Sequence, residues 1–188
     1  MIFEEMFERT DVIEGDTSFS SIALEQRWRN ISPGVYNNGL LTICNNDLPK
    51  NTLDNWTWLT GQNSLILGYL AWGDYIYISF DDKKIYLVIC QEGGKVCLGD
   101  NLESVFDYNL CNHNFLENVV LIQKFQLMQE KLGALKYGSC YVHQPYLMIG
   151  EEEDDDKYSV KDFLVYIDIL GQTWKQIKET PAKNREQP

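Results

Sequence analysis

Histidine is nearly missing from this chain: His113 and His143 are the two among 188 residues. A metal centre built on imidazole is thereby close to excluded, because such centres draw on several closely spaced donors. The five cysteines (Cys44, Cys90, Cys97, Cys111 and Cys140) are odd in number and scattered, without a CxxC pair. That spacing argues against a disulfide framework and for small apolar fillers in a reducing compartment. No apolar run approaches the roughly 20 residues that cross a bilayer. The opening residues, MIFEEMFERTDVIEGD, carry acids where a secretory leader carries bases. The expectation is a soluble, cytoplasmic protein. Phosphate-cradling loops are lacking as well, since neither GxGxxG nor GxxxxGK follows a strand-like segment. Gly73-Asp74 and Gly99-Asp100 read as turns rather than ligands, and no cofactor is expected.

Positive charge is also scarce. Sixteen Lys and Arg stand against 28 Asp and Glu, leaving a formal charge of −12. Such a polyanion repels phosphate backbones and anionic lipid surfaces, so direct nucleic-acid or membrane binding is not expected. A basic protein is the partner that this charge favours, because complementary potentials speed encounter. The same acidity also serves plain solubility.

What the chain does hold is apolar and aromatic mass. It is 44 % hydrophobic and 13 % aromatic, enough for a real core at this length. The simplest organisation is one domain over residues 1–178 with a polar, flexible tail at 179–188. Near the start, Ile2, Phe3, Met6 and Phe7 suit one turn of a docking helix. Leu24, Trp28 and Ile31 share a helical face after Ser21. Pro33-Gly34 and Asn37-Asn38-Gly39 punctuate a loop. Leu40 to Cys44 reads as a strand, and Leu53 to Leu59 as a short helix carrying Trp56 and Trp58. Of that pair, Trp56 is the ring expected in the core.

The middle is rich in β-branched and aromatic residues. Tyr75 to Phe80 and Ile85 to Cys90 flank the polar turn Asp81 to Lys84; Gly93-Gly94 then leads to a strand at Lys95 to Leu98, and Ser64 to Trp72 supplies another. These links are too short for parallel crossovers, so an antiparallel meander is expected. Val105, Phe106 and Leu110 suit a short helix, and Phe115, Val119, Ile122 and Leu127 a longer one ending before Gly133. Ser159 with Asp162 reads as a capping box opening a last helix. Val160, Phe163/Leu164, Ile167, Leu170 and Trp174 would form its buried stripe. The fold class is α+β: a central antiparallel sheet with N-terminal and C-terminal helices packed on it.

No catalytic set stands out. Cys140 and His143 lie three apart, which suggests a Cys–His nucleophile, but on a strand such residues face opposite sides. The run Glu151, Glu152, Glu153, Asp154, Asp155 and Asp156 supplies six carboxylates in a row. A calcium loop alternates its acids and turns on a glycine, so a contiguous block suits a solvated loop or a contact with basic groups better. In the sharper form of that reading the block docks in a cationic cleft, as phosphate would.

Several motifs resemble one family. Leu24-Glu25-x-x-Trp28, Gly39-Leu40-Leu41 and Leu53-x-x-Trp56 resemble a GAD-like N-terminal region, which would cover residues 20–100. Ala71-Trp72-Gly73-Asp74 resembles the family's lead into a central hairpin. Leu132-Gly133-x-Leu135-x-x-Gly138-x-x-Tyr141, then Pro145 and Leu147-x-x-Gly150, resemble a DUF1851-type C-terminal region at 101–178. Together they are similar to the Tdi1-like type VI secretion immunity proteins. The chain departs from the pattern in keeping a lone Gly150 before the acidic block and in having His143 where an aromatic is usual. The resemblance implies a non-enzymatic inhibitor that binds a cognate antibacterial effector, a DNA-degrading toxin in some relatives. It carries no catalytic residues. A regulatory or scaffold protein on the same fold, and a small enzyme using Cys140 and His143, are the alternatives.

Overall fold

In a computed structural model the chain is described over residues 2–13, 31–45, 48–150 and 152–180. Seven strands form one antiparallel sheet whose spatial order is their order in the chain. They are β1 (Arg9–Val12), β2 (Gly34–Tyr36), β3 (Leu41–Ile43), β4 (Ser64–Leu70), β5 (Tyr75–Ser79), β6 (Lys84–Ile89) and β7 (Gly94–Gly99). A two-stranded sheet follows, pairing β8 (Ser139–His143) with β9 (Tyr158–Asp162). The α+β class and the meander are as the alternation and short turns imply.

Period-two alternation decides what each face covers. Ile76 of β5 and Ile85 and Leu87 of β6 enter one buried cluster, whereas Tyr75, Tyr77 and Val88 enter the other. The register of β4 shifts between Ile66 and Gly68, a bulge that changes the parity of the strand. Leu65 and Leu67 therefore share a side with Leu70 beyond the bulge, while Ile66 joins Tyr69 opposite. Gly68 sits where β4 crosses β3 closely: a Cβ there would lie 2.5 Å from the Thr42 carbonyl oxygen.

One face is covered by α1 (Ile2–Met6), a π-helical segment (Ser104–Asn109), α3 (His113–Asn118) and α4 (Ile122–Leu132), through Phe3, Phe106, Leu116, Phe125 and Met128. The other face takes a 3-10 turn (Asp54–Trp56), α2 (Thr57–Thr60) and α5 (Phe163–Glu179), through Trp56, Phe163, Tyr166, Ile167 and Leu170. Trp56 is fully buried, and its indole N–H donates to the Ile167 carbonyl at 2.8 Å. Gly171 makes that approach possible, since a Cβ there would fall 2.7 Å from the Trp56 ring nitrogen. Trp58 stacks beside it, half-buried, with Lys178 Nζ 4.7 Å from its ring centre. No described helix is long and apolar enough to cross a membrane.

Several expectations change. The stretch around Pro33-Gly34 is not all loop, because Gly34–Tyr36 pairs with both β1 and β3. Asn37 and Asn38, at φ 46° and 59°, make the tight return. The acidic start folds as α1 and β1, with Phe3 and Phe7 in the core and Ile2 and Met6 exposed. The single helix expected after Leu110 is two, broken at Leu121 in a left-handed conformation with φ 57°. Its buried positions are Phe125 and Met128, while Leu127 is 38 % exposed. Ser159 does not open the last helix, and Val160 lies outside its stripe. Both belong to β9, and the N-cap is Asp162, whose carboxylate accepts from the Val165 amide at 2.9 Å. Leu24, Trp28, Glu151 and residues 181–188 lie outside the described residues.

Candidate binding surface around the acidic segment

Strand β8 organises this region because both of its faces are used. Cys140 and Val142 point into the cluster under α5, and Tyr141 into the cluster under α4. The Tyr141 amide donates to the Ala71 carbonyl at 2.8 Å, stitching the small sheet to the β4–β5 turn. Asp74, at the end of that turn, is buried, with its carboxylate accepting from the Cys90 amide at 2.7 Å. Burial raises its pKa to about 7, the Cys90 hydrogen bond opposing that shift. The Gly73-Asp74 turn is therefore present, but its carboxyl is an internal group, which the local sequence does not signal.

His143 ends β8 and is buried. Its Nε2 accepts from the Asp154 amide at 3.1 Å, so Nδ1 carries the proton and donates to the Pro145 carbonyl at 2.6 Å. Both ring nitrogens are thus engaged away from Cys140. The Cys140 thiol is buried, and its pKa is raised chiefly by desolvation and further by Asp162 and Asp74. A thiol held in its neutral form is a poor nucleophile. The structure does not assemble these two residues into a catalytic pair.

The acidic segment is anchored at three of its five described residues, Glu153, Asp154 and Asp156. Glu152 and Glu153 lead to Asp154, whose side chain caps a 3-10 turn at Asp155–Lys157 by accepting from the Asp156 amide at 2.9 Å. Glu153 meets Lys124 of α4 and accepts from the Tyr158 hydroxyl at 2.6 Å. Lys124 also stands 4.4 Å from the Tyr158 ring centre and 5.4 Å from that of Trp72. Its pKa is lowered by burial, against which Asp155 acts. Asp156 takes the Lys131 ammonium at 3.0 Å, and that hydrogen bond is the first cause of the raised Lys131 pKa. Two lysines on one face of α4 thus hold two of the five described carboxylates. Their distance along the chain hides this pairing from local reading. No group of three or more possible metal ligands occurs among the described residues.

Before this segment runs a loop, Gln144–Gly150, held from below. Tyr146 packs edge-on against Tyr166 of α5 at 5.8 Å between ring centres, and the Met148 amide donates to the Gln91 side chain at 3.0 Å. Pro145 and Ile149 are exposed. Sequence reasoning named the acids and overlooked this apolar neighbour.

No family profile matches this chain, and a comparison with curated proteins found no relative. Among solved structures, the crystal structure of Atu4351 from Agrobacterium tumefaciens is similar, with a TM-score of 0.66 over 90 % of this chain and 86 % of that one. The two sequences are 16 % identical over this match, so the likeness is one of fold.

Proposed function

We propose that this chain is an immunity protein, which neutralises a cognate type VI secretion effector by direct binding in the cytoplasm. The observation that carries the reading is the acidic segment 152–156, which His143, Lys124 and Lys131 tie to β8 and α4. A fixed row of carboxylates loses little conformational freedom on binding and suits a cleft lined with Lys and Arg. An effector that degrades DNA needs such a cleft to hold the phosphate backbone. The net charge of −12 adds steering toward a basic partner, and the motif resemblance supplies the biological setting. The reading requires no reaction from this chain.

The test is co-expression in a sensitive bacterium with the protein encoded beside this chain's gene. The expected outcome is rescue of growth and recovery of both proteins as one complex from purification. Unrelieved toxicity despite abundant folded chain would overturn the reading.

A further inference from the structure

Ile149 is 63 % exposed, the highest exposure among the large hydrophobic side chains of the described residues. Its neighbours Leu147 and Met148 are half-buried, and Pro145 is exposed. Single exposed apolar side chains are ordinary on a protein surface, but one set in a polar surround is the kind of side chain that fills a partner's pocket, where binding energy concentrates. This tip is also held in place. His143 joins the Pro145 carbonyl to the Asp154 amide, and Gln91 and Tyr166 grip Met148 and Tyr146 from the sheet and from α5. Ile149 and Glu152 are three positions apart in the chain, a span of at most about 11 Å, so the described carboxylates begin beside the tip.

We infer that the loop Gln144–Gly150 is the anchor of the interface, with Ile149 filling an apolar pocket of a folded protein partner whose rim carries Lys and Arg. Charge complementarity selects that partner: the five described carboxylates begin three positions beyond the tip, and Lys124 and Lys131 pair two of them, so a purely apolar or acidic rim would leave Glu152, Asp154 and Asp155 facing it without a countercharge. The inference rests on the proposed immunity reading and divides its interface into two roles. The acids govern how fast the partners meet, and Ile149 governs how long they stay together.

The test is surface plasmon resonance of the full chain against the purified product of the adjacent gene, with Ile149→Asp, Ile149→Ala and Val12→Asp. Val12 is 60 % exposed on β1, at the opposite edge of the sheet from β7 and the β6–β7 turn that bears Gln91. Ile149→Asp should raise the dissociation rate at least about tenfold, and Ile149→Ala by several-fold, with association within about twofold of wild type. Val12→Asp should bind as wild type. Because both positions are exposed, all variants should keep the parent's melting temperature. Unchanged dissociation for Ile149→Asp beside tight wild-type binding would overturn the anchor and leave the immunity reading standing. Absence of wild-type binding would remove both.

Discussion

Asp74 is a carboxyl that the fold keeps out of water. Its pKa is raised to about 7 because burial penalises the charged form more than the single Cys90 amide rewards it. A raised carboxyl pKa means that the native state holds the proton where the unfolded chain has lost it. Stability therefore falls as pH rises from about 4 through about 7, by on the order of a few kcal/mol, and levels off above that. Asp74→Asn keeps an oxygen for the Cys90 amide and removes the titration. Its unfolding free energy should vary less between pH 5 and pH 8 than the wild type's, and should exceed it at pH 8. Urea melts at the two pH values check this, and parallel wild-type and variant slopes would contradict it. Trp56 was legible as the core ring of the Trp56/Trp58 pair, although Ile167 and Gly171, which receive it, come from far along the chain. The burial of Asp74 was not, since it depends on Cys90, Tyr166 and Cys140, which the chain brings from far away.

Helices and strands were legible in proportion to how local their signals are. The meander from β4 to β7 followed from alternation and from polar turns such as Asp81–Lys84. The bulge at Gly68 did not, since it answers to β3 packed against it, and neither did the left-handed break at Leu121. The start of α5 shows the competition most clearly. Ser159-x-x-Asp162 fits a capping box, but β8 recruits Tyr158–Asp162 as its partner strand, so the helix begins three residues later, with Asp162 as its N-cap. Asp162→Ala should lower stability by about 1 kcal/mol, the usual worth of an N-cap. Ser159 is half-buried on β9 and its hydroxyl makes a long hydrogen bond to the Gln144 side chain at 3.3 Å, so Ser159→Ala should cost less, about 0.5 kcal/mol. Chemical denaturation of both variants distinguishes the two caps. A larger loss for Ser159→Ala would contradict the assignment.

At the scale of the whole molecule, the excess of acid was legible from composition and its concentration at 151–156 from the run itself. What composition could not show is that Lys124 and Lys131 reach across from α4, so that part of the run is structural. Glu153 and Asp156 serve the fold as well as the surface, whereas charge reversal at Glu152 and Asp155 changes the field and spares those two ion pairs. The apolar tip at Ile149 escaped the sequence because its neighbours Leu147 and Met148 are turned partly inward, a distinction that no pattern in residues 145–150 encodes.

The central claim is that a fixed anionic surface of this chain meets a cationic face of another protein. The most direct measurement is the association rate with the adjacent gene's product as a function of ionic strength, for wild type and for Glu152→Lys/Asp155→Lys. The wild-type rate should fall steeply with added salt, and the variant should associate several-fold more slowly at low salt with a flatter dependence. Equal rates and equal salt slopes for the two proteins would contradict the claim.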